Sequence, residues 1–385
     1  MANIVKFYTV LIFCTILIFS MSGCTQKNEN NSDLIHINVS AAYSEKVINL
    51  NEIAEIEFLQ LEMHDDFLFR GLPRVITSDK IIFGEFSSGD ILVFSRDGKP
   101  ISRFNRRGGG PEEFPSLMRL VYDETTNEIF VQSPTRIMVY SLTGEFKRTI
   151  PLLEESSLGV LVSFNSEYLL LYDRNNIYPT PFSLISKNDG SVETVDMPNG
   201  NKIDDVVVFR SGERNITMLP PMHHIIWYND GFLLNNYATD TIFFLSQNRV
   251  LSPFLIRTPE LHSTNLITLS GFVEAGNYQF FQTTRHRIEN RDGRYFLPET
   301  FLMRDKTTGS IYRQRIIFDD FRGREISISH ATIANTQNSR IGLISLDLTE
   351  LQDANDTGRL SGRLKEIVEN SDEDGNNVFM LLHFK

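Results

Sequence analysis

Short apolar runs that end in Gly, Asp or Asn, each followed by a second strand-like run, recur along the whole chain. Tight polar turns between two such runs are typical of β-hairpins. Three of these turns end in glycines spaced 46 residues apart, at Gly98, Gly144 and Gly190. The pattern recurs at ILVFSRDG (91–98), IMVYSLTG (137–144) and FSLISKNDG (182–190), and with looser spacing at TIFFLSQNRV (241–250) and TFLMRDKTTGSIYRQRII (300–317).

Further strand-like runs lie between the hairpins, at 74–86, 128–134, 166–172 and 231–237. Their centres are continuously apolar, as in strands that are buried on both faces. About four short strands per unit of ~46 residues predict a β-propeller, and the chain length allows six to seven such units. A stack of two β-sandwiches is the structural alternative, but it does not explain the two equal spacings.

One stretch also resembles a known family. ILVFSRDGKPISRF, the loop NRRGGGPEEF and the strand-like runs that follow to residue 150 are similar to the six-bladed β-propeller lipoproteins of Bacteroidetes, an NHL-like family. Glu112 stands where that family commonly has glycine. The ending, 364–385, is also similar: a short helix, an acidic turn and a last strand. The resemblance implies membrane attachment and six blades, but no reaction. We therefore expect an all-β fold with six four-stranded antiparallel blades over 33–385, and seven blades as the alternative.

The N-terminus has the pattern of an export signal. Lys6 is the only charge before position 24, the run Phe7–Ser20 is nearly all apolar, and MSGC follows at 21–24. This order is typical of a secretory signal, and MSGC resembles the lipobox of bacterial lipoproteins. We expect residues 1–23 to be a signal peptide, Cys24 to carry lipid, and 24–32 to be a flexible tether. An ordinary signal peptide or an anchor helix is the alternative.

Cysteine content and charge narrow the function further. Only Cys14 and Cys24 are present, so no thiol remains for a disulfide, a metal or catalysis after processing. The net charge is −12, and no basic run extends beyond Arg106 and Arg107, which argues against nucleic-acid binding. Because Thr25 and not aspartate follows Cys24, the outer membrane is favoured for a lipid-anchored, monomeric protein.

The glycine-rich loop is the candidate recognition site. A phosphate-binding loop would need a helix directly after it, whereas Pro115 and a strand-like run follow here. We expect an inter-blade connection in which Phe114 is pinned to the core and the two arginines pair with the two glutamates. A surface recognition loop is the alternative interpretation. The candidate residues are Arg106, Arg107, Gly108, Gly109, Gly110, Pro111, Glu112, Glu113 and Phe114.

Other chemical motifs are weak. His223 and His224 lack the further ligands of a zinc site, so we expect packed histidines. The acidic segment 371–377 lacks the spacing of a calcium loop. No nucleophile elbow is present. The arginine-rich segment 282–295 is predicted to be an insertion at a blade edge that can contact an acidic ligand. No catalytic residue, metal or cofactor is therefore predicted.

Two functions remain at this point. The first is a membrane-anchored binding or scaffolding module for an unknown protein, peptide or glycan. The alternative is a propeller-type enzyme, such as a metal-assisted lactonase-like hydrolase or a glycan hydrolase or lyase. That enzyme would use Asp, Glu or His side chains at the mouth of the central channel.

Overall fold

The computed structural model describes residues 34–62, 64–67, 69, 71–152, 159–175, 177–198, 200, 202–204, 206–333, 338–371 and 376–385. The chain divides into an N-terminal unit, Met1–Ile35, and a body, His36–Lys385. The predicted signal peptide, Cys24 and the tether therefore lie outside the described residues, and so does most of the predicted acidic turn, 372–375.

Six of the eight sheets among the described residues form the propeller, and we call them blades 1 to 6 in chain order. Blades 1 to 3 have four consecutive strands each, as predicted. Blade 1 comprises β4 (Val75–Ile76), β5 (Lys80–Gly84), β6 (Asp90–Ser95) and β7 (Pro100–Asn105). Blade 2 comprises β8 (Arg119–Asp123), β9 (Glu128–Ser133), β10 (Arg136–Ser141) and β11 (Phe146–Pro151). Blade 3 comprises β12 (Val160–Ser163), β13 (Tyr168–Tyr172), β14 (Phe182–Ser186) and β15 (Val192–Thr194).

The remaining blades depart from the simple repeat. Blade 4 comprises β18 (Ile225–Tyr228), β19 (Gly231–Leu234), β20 (Thr241–Leu245) and β21 (Leu251–Thr258). Blade 5 comprises β22 (Ile267–Ala275), β23 (Tyr278–Arg285), β26 (Glu299–Asp305) and β27 (Ile311–Ile317), with β28 (Glu325–Ile326) beside β27. Blade 6 has three strands, in the order β29 (Ile341–Leu346), β30 (Val378–Phe384) and β3 (Ala54–Leu59).

The N-terminal strands close the ring, because each of them pairs with a blade that lies far away in the sequence. β1 (Ile35–Asn38) pairs with β21, and β2 (Glu45–Asn49) runs parallel to β27, so both extend the outer edges of blades 4 and 5. β3 then completes blade 6 by pairing with β30, with Ala54 opposite Phe384 and Leu59 opposite Phe379. Three successive N-terminal strands thus join three successive blades.

The predicted hairpins are confirmed, and the structure explains their glycines. Gly98, Gly144 and Gly190 each lie in the turn between the third and fourth strands of a blade, with φ of 86°, 81° and 77°. Each turn also packs against the end of the preceding blade's outer strand. A Cβ on Gly144 would fall 2.5 Å from Cγ of Phe104. The glycine spacing therefore reflects both a left-handed turn and a close contact between blades.

The hydrophobic core lies between neighbouring blades. Phe83 and Phe94 of blade 1 pack against each other with ring centroids 5.6 Å apart, and Phe83 lies 5.9 Å from Phe379 of blade 6. Similar clusters join blades 1 and 2, 2 and 3, and 3 and 4. Since each sheet is covered on both sides, its strands are apolar at successive positions, as the sequence predicted.

Blade 6 contains the helices that the strand pattern did not predict. The helix Leu348–Asp356 begins at Asp347, whose side chain accepts a hydrogen bond from the backbone N–H of Glu350. The predicted C-terminal helix is confirmed as Gly362–Glu369. Two single-turn helices, Leu50–Ile53 and His330–Ile333, complete the set of α-helices among the described residues; a short 3₁₀ turn spans Asp65–Phe67.

Candidate functional site

The two faces of the propeller are built from different kinds of connection. Consecutive antiparallel strands reverse direction, so the turns alternate between the two faces. In blades 1 to 5, the turns from first to second and from third to fourth strand share one face, which we call the hairpin face. These turns are short: the turn at 229–230 has two residues, and the turn at 187–191 has five. The turns from second to third strand and the inter-blade connections share the other, the connection face.

The long insertions of blades 1 to 5 lie on the connection face. They are the inter-blade connections 106–118 and 195–224, and the turns 173–181 and 286–298. Two of them contain hairpins of their own, β16 (Val207–Ser211) with β17 (Arg214–Met218), and β24 (Glu289–Arg291) with β25 (Arg294–Phe296). The second confirms that 282–295 includes an insertion. These additions also explain why the repeat spacing lengthens after Gly190.

The two inserted hairpins contact each other. The rings of Phe209 and Tyr295 lie 6.1 Å apart, and the hydroxyls of Ser211 and Tyr295 are 3.2 Å apart. Val208 and Phe209 nevertheless remain 60% and 40% exposed. We call this pair, 207–218 and 289–296, the twin hairpins. It presents apolar side chains to solvent at the edge of the connection face.

The predicted recognition loop is a closed inter-blade connection. The backbone N–H of Phe114 donates to the carbonyl of Arg106 (2.9 Å), and that of Gly108 donates to the carbonyl of Phe114 (3.0 Å). Glu113 accepts a hydrogen bond from the N–H of Gly110 (2.8 Å). Phe114 is fully buried against Tyr140, as expected, with ring centroids 5.9 Å apart. The loop conformation is therefore determined largely by its own backbone.

The expected ion pairs within this loop are wrong. Arg106 donates instead to the carbonyl of Gly144 (2.9 Å), and Arg107 donates to the carbonyl of Ser87. Both acceptors belong to turns of blades 1 and 2, so the arginines fix the loop to the propeller body. Gly109, Pro111 and Glu112 are exposed at its tip.

The connection-face mouth of the central channel is a cleft of about 290 Å³. It gathers the starts of the first strands of blades 2 to 4 and neighbouring connections. Its lining consists of Arg119, Val160, Tyr172, Arg174, Leu219, Pro220, Pro221, Met222, His224 and Tyr237. A second cleft of about 180 Å³ shares Tyr172 and Tyr237 with it. These two tyrosines form the wall between the clefts.

The histidines beside this mouth are packed, as the sequence predicted. The ring of His224 stacks on Tyr172 with centroids 3.6 Å apart, and its Nδ1 lies 2.9 Å from the carbonyl of Asn235. Burial lowers the pKa of His224 to about 3 and the pKa of His223 to about 4. In blade 5, burial and then the charge of Arg257 lower the pKa of His286 to about 4. All three are neutral at pH 7.

Arginines supply the positive charge at the same mouth. Arg119 begins the first strand of blade 2, and Arg74 precedes the first strand of blade 1. Burial lowers the pKa of both, and the charge of Arg119 further lowers the pKa of Arg74. Sequence reasoning missed them, although they stand 45 residues apart, nearly the repeat distance, and each precedes an apolar run.

The opposite mouth, on the hairpin face, is organised around a buried ion pair. Lys187 donates to Asp123 (2.6 Å), to the hydroxyl of Ser163 (2.8 Å) and to the carbonyl of Asn165. A cleft of about 360 Å³ there brings together the first-to-second-strand turns of blades 1 to 3, with Trp227 of blade 4. Among the described residues, no group of three His, Cys, Asp or Glu side chains is placed to hold a metal ion.

These observations define the class: the chain is a six-bladed β-propeller whose long connections gather on one face. The chain belongs to the family described as "Domain of unknown function (DUF4934)", which matches residues 34–383. No curated protein matches it. In the described part of the chain, none of the helices has the length and apolar character needed to span a membrane.

Solved structures are similar in fold. A protein of Bacteroides fragilis assigned as exported is 14% identical, with a TM-score of 0.58, and the match covers 91% of this chain and 99% of that one. A virginiamycin B lyase from Staphylococcus aureus is 13% identical, with a TM-score of 0.32, and the match covers 67% and 97%. A Bacteroides caccae protein of unknown function is 11% identical, with a TM-score of 0.32 over 65% and 77%. The first supports the six-bladed fold.

Proposed function

We propose that the protein is an exported, lipid-anchored propeller that binds a protein partner on its connection face, as a monomer and without catalysis. The apolar N-terminal run and the MSGC motif support export and lipid attachment. The name of the Bacteroides fragilis neighbour, which describes it as exported, points the same way. The family description names no activity.

The exposed surface of the twin hairpins carries the proposal. Val208 and Phe209 are exposed apolar side chains beside Arg210 and Arg214. In the second hairpin, Arg291 lies directly opposite Arg294. Like charges opposite each other destabilise a hairpin. Arg291 lies over the ring of Phe296, 5.5 Å from its centroid. Aromatic side chains and arginine are the residues that protein interfaces favour.

The test is crosslinking in intact cells with a matched pair of variants. Val208→Ser combined with Phe209→Ser should remove most of the crosslinked partner, because it removes the apolar contact. Val250→Ser is the control, since Val250 is 62% exposed but lies in a hairpin-face turn. Val250→Ser should fold normally, because exposed substitutions change stability by less than about 0.5 kcal/mol. The melting temperature of the double variant shows whether loss of the contact between Phe209 and Tyr295 affects folding. Equal crosslinking of the wild type and the double variant contradicts the proposal, and a crosslinked glycan in place of a protein corrects the partner class.

Lipid attachment has a separate test. Cys24→Ala should move the protein from the membrane fraction to the soluble fraction, since one modified cysteine would supply the anchor. The melting temperature should not change, because position 24 precedes the propeller. A variant that still sediments with membranes argues against the anchor and leaves the binding proposal intact. The alternative of a propeller-type enzyme stays a prediction. His224 at the channel mouth stacks on Tyr172 and bonds to the carbonyl of Asn235.

A further inference from the structure

Several partly buried arginines elsewhere in the propeller have carboxylate partners. Arg148 makes two hydrogen bonds to Glu128, at 2.7 and 2.8 Å, and Arg96 pairs with Glu57 at 2.9 Å. The protein has acidic groups to spare, with 49 Asp and Glu against 37 Lys and Arg. Yet in the described part of the chain, neither Arg74 nor Arg119 pairs with a carboxylate. Two cations without counter-charges in an acidic protein need an explanation.

The surroundings of these two arginines make them more unusual. Both are only partly exposed. Arg119 donates one hydrogen bond, to the carbonyl of its neighbour Met118 (2.7 Å). Arg74 donates weakly to the carbonyl of Gly84 (3.4 Å) and lies over the ring of Phe86, 4.2 Å from its centroid. Most of their N–H groups lack an acceptor among the described residues. Partly desolvated like charges that repel each other are unfavourable unless an anion binds.

The cleft at the channel mouth can accept such an anion. Arg119 and Arg174 both line it, next to the apolar side chains of Val160, Leu219 and Pro220. Its volume, about 290 Å³, suits a single sugar ring or a single amino-acid residue. A guanidinium binds a planar carboxylate through two parallel hydrogen bonds, which gives both strength and orientation.

We infer that the connection-face mouth of the channel is a carboxylate-binding site formed by Arg119, with Arg74 and Arg174 as supporting cations. The inference rests on the proposed function, because the carboxylate would belong to the partner held on the same face. Two sources share this chemistry: the C-terminus of a polypeptide and an acidic sugar. The site selects the carboxylate, and the apolar side of the cleft contacts the rest of the residue or ring.

The test is calorimetric titration of the full chain, purified in a mild detergent, with two pairs of probes. The first pair is the peptide Gly-Gly-Phe as the free acid and as the amide, and the second is tri-galacturonate and its methyl ester. At least one acid should bind about tenfold or more tightly than its uncharged form. Binding of the peptide acid identifies a polypeptide C-terminus as the source of the carboxylate, and binding of tri-galacturonate identifies an acidic sugar. Binding of neither acid overturns the inference.

Substitutions locate the site. Arg119→Gln should weaken binding about tenfold or more, and Arg119→Lys should weaken it less, because lysine keeps the charge but loses the paired hydrogen bonds. Arg363→Gln is the control for charge, since Arg363 is exposed on the helix Gly362–Glu369 and pairs with Glu366. The melting temperature of Arg119→Gln should not fall, because the substitution relieves repulsion with Arg74. Unchanged binding by Arg119→Gln overturns the inference.

The two proposals can fail separately. If the twin-hairpin variant loses its crosslinked partner while neither acid binds, the carboxylate site is wrong and the binding module stands. If Arg119→Gln abolishes acid binding while the twin-hairpin variant keeps its crosslinks, the carboxylate site stands and the twin hairpins are not the partner surface.

Discussion

The two faces of this propeller differ in the length of their connections and in the pairing of their buried charges. On the hairpin face, short turns repeat from blade to blade, glycines contact the preceding blade, and Lys187 is fully paired with Asp123 and its neighbours. On the connection face, the insertions differ at each blade, Arg74 and Arg119 have no carboxylate partner within the described ranges, and the buried histidines are neutral. The contrast teaches that contacts between blades restrict one face, while the connections of the other face are free to vary in length.

The largest expected effect comes from removing one partner of the Lys187–Asp123 ion pair on the hairpin face. Lys187→Met should lower the free energy of unfolding by about 3–5 kcal/mol, because it leaves Asp123 as a buried charge without its cation. Chemical denaturation of the variant and the wild type measures the change. Lys187→Met combined with Asp123→Asn is the matched control, and it should recover most of the loss. A loss below about 1 kcal/mol in the single variant would show that the pair is not important for this face.

The next largest effect compares two glycines with the same backbone conformation. Gly144 on the hairpin face has φ of 81°, and Gly293 in the second inserted hairpin has φ of 82°. Alanine at Gly293 meets no atom within 4 Å, so only the left-handed conformation costs about 1 kcal/mol. Alanine at Gly144 also clashes with Phe104 and should cost about 2–4 kcal/mol in all. Equal losses in denaturation would refute the contact between blades as the reason for the repeat.

The smallest effect concerns acid and the connection face. Below pH 6.5 the unfolded chain binds protons at His223, His224 and His286, whereas the folded protein binds them only near pH 4 or below. Stability should therefore fall as the pH falls from about 6.5 to 4, because protonation favours the unfolded chain over this range. His286→Gln should reduce the loss between pH 7.5 and 5.5 by less than about 1 kcal/mol, because the ring is partly exposed and solvent screens it. An unchanged loss in this variant would exclude a contribution from His286.

The repeating part of the fold could be predicted because its signals are local. The hairpins, their glycines and the continuous apolar strands all follow from neighbouring residues, and Gly98, Gly144 and Gly190 mark equivalent turns. The helix Leu348–Asp356 was missed, although Asp347 followed by Glu350 is a capping pattern. It lies within blade 6, where the regular spacing has already ended.

The candidate site could not be predicted because it depends on distant contacts. Arg106 and Arg107 were expected to pair within their own loop, but carbonyls of two neighbouring blades compete for them. Arg74 and Arg119 meet only because two first strands converge at the channel. Nothing in the sequence places β1, β2 and β3 on blades 4, 5 and 6, since strand pairing over such distances has no local signal.

The joining of the N-terminal strands to the later blades also sets an order of events during synthesis. β3 is made early, but its partner β30 follows more than 300 residues later, and His383 and Glu57 meet across a separation of 326 residues. Blades 1 to 3 are complete in themselves and can assemble as they emerge. β1, β2 and β3 have no partner until blades 4 to 6 have been made. The nascent propeller therefore keeps exposed sheet edges until its last strand has emerged, and that interval is when it most needs protection from aggregation.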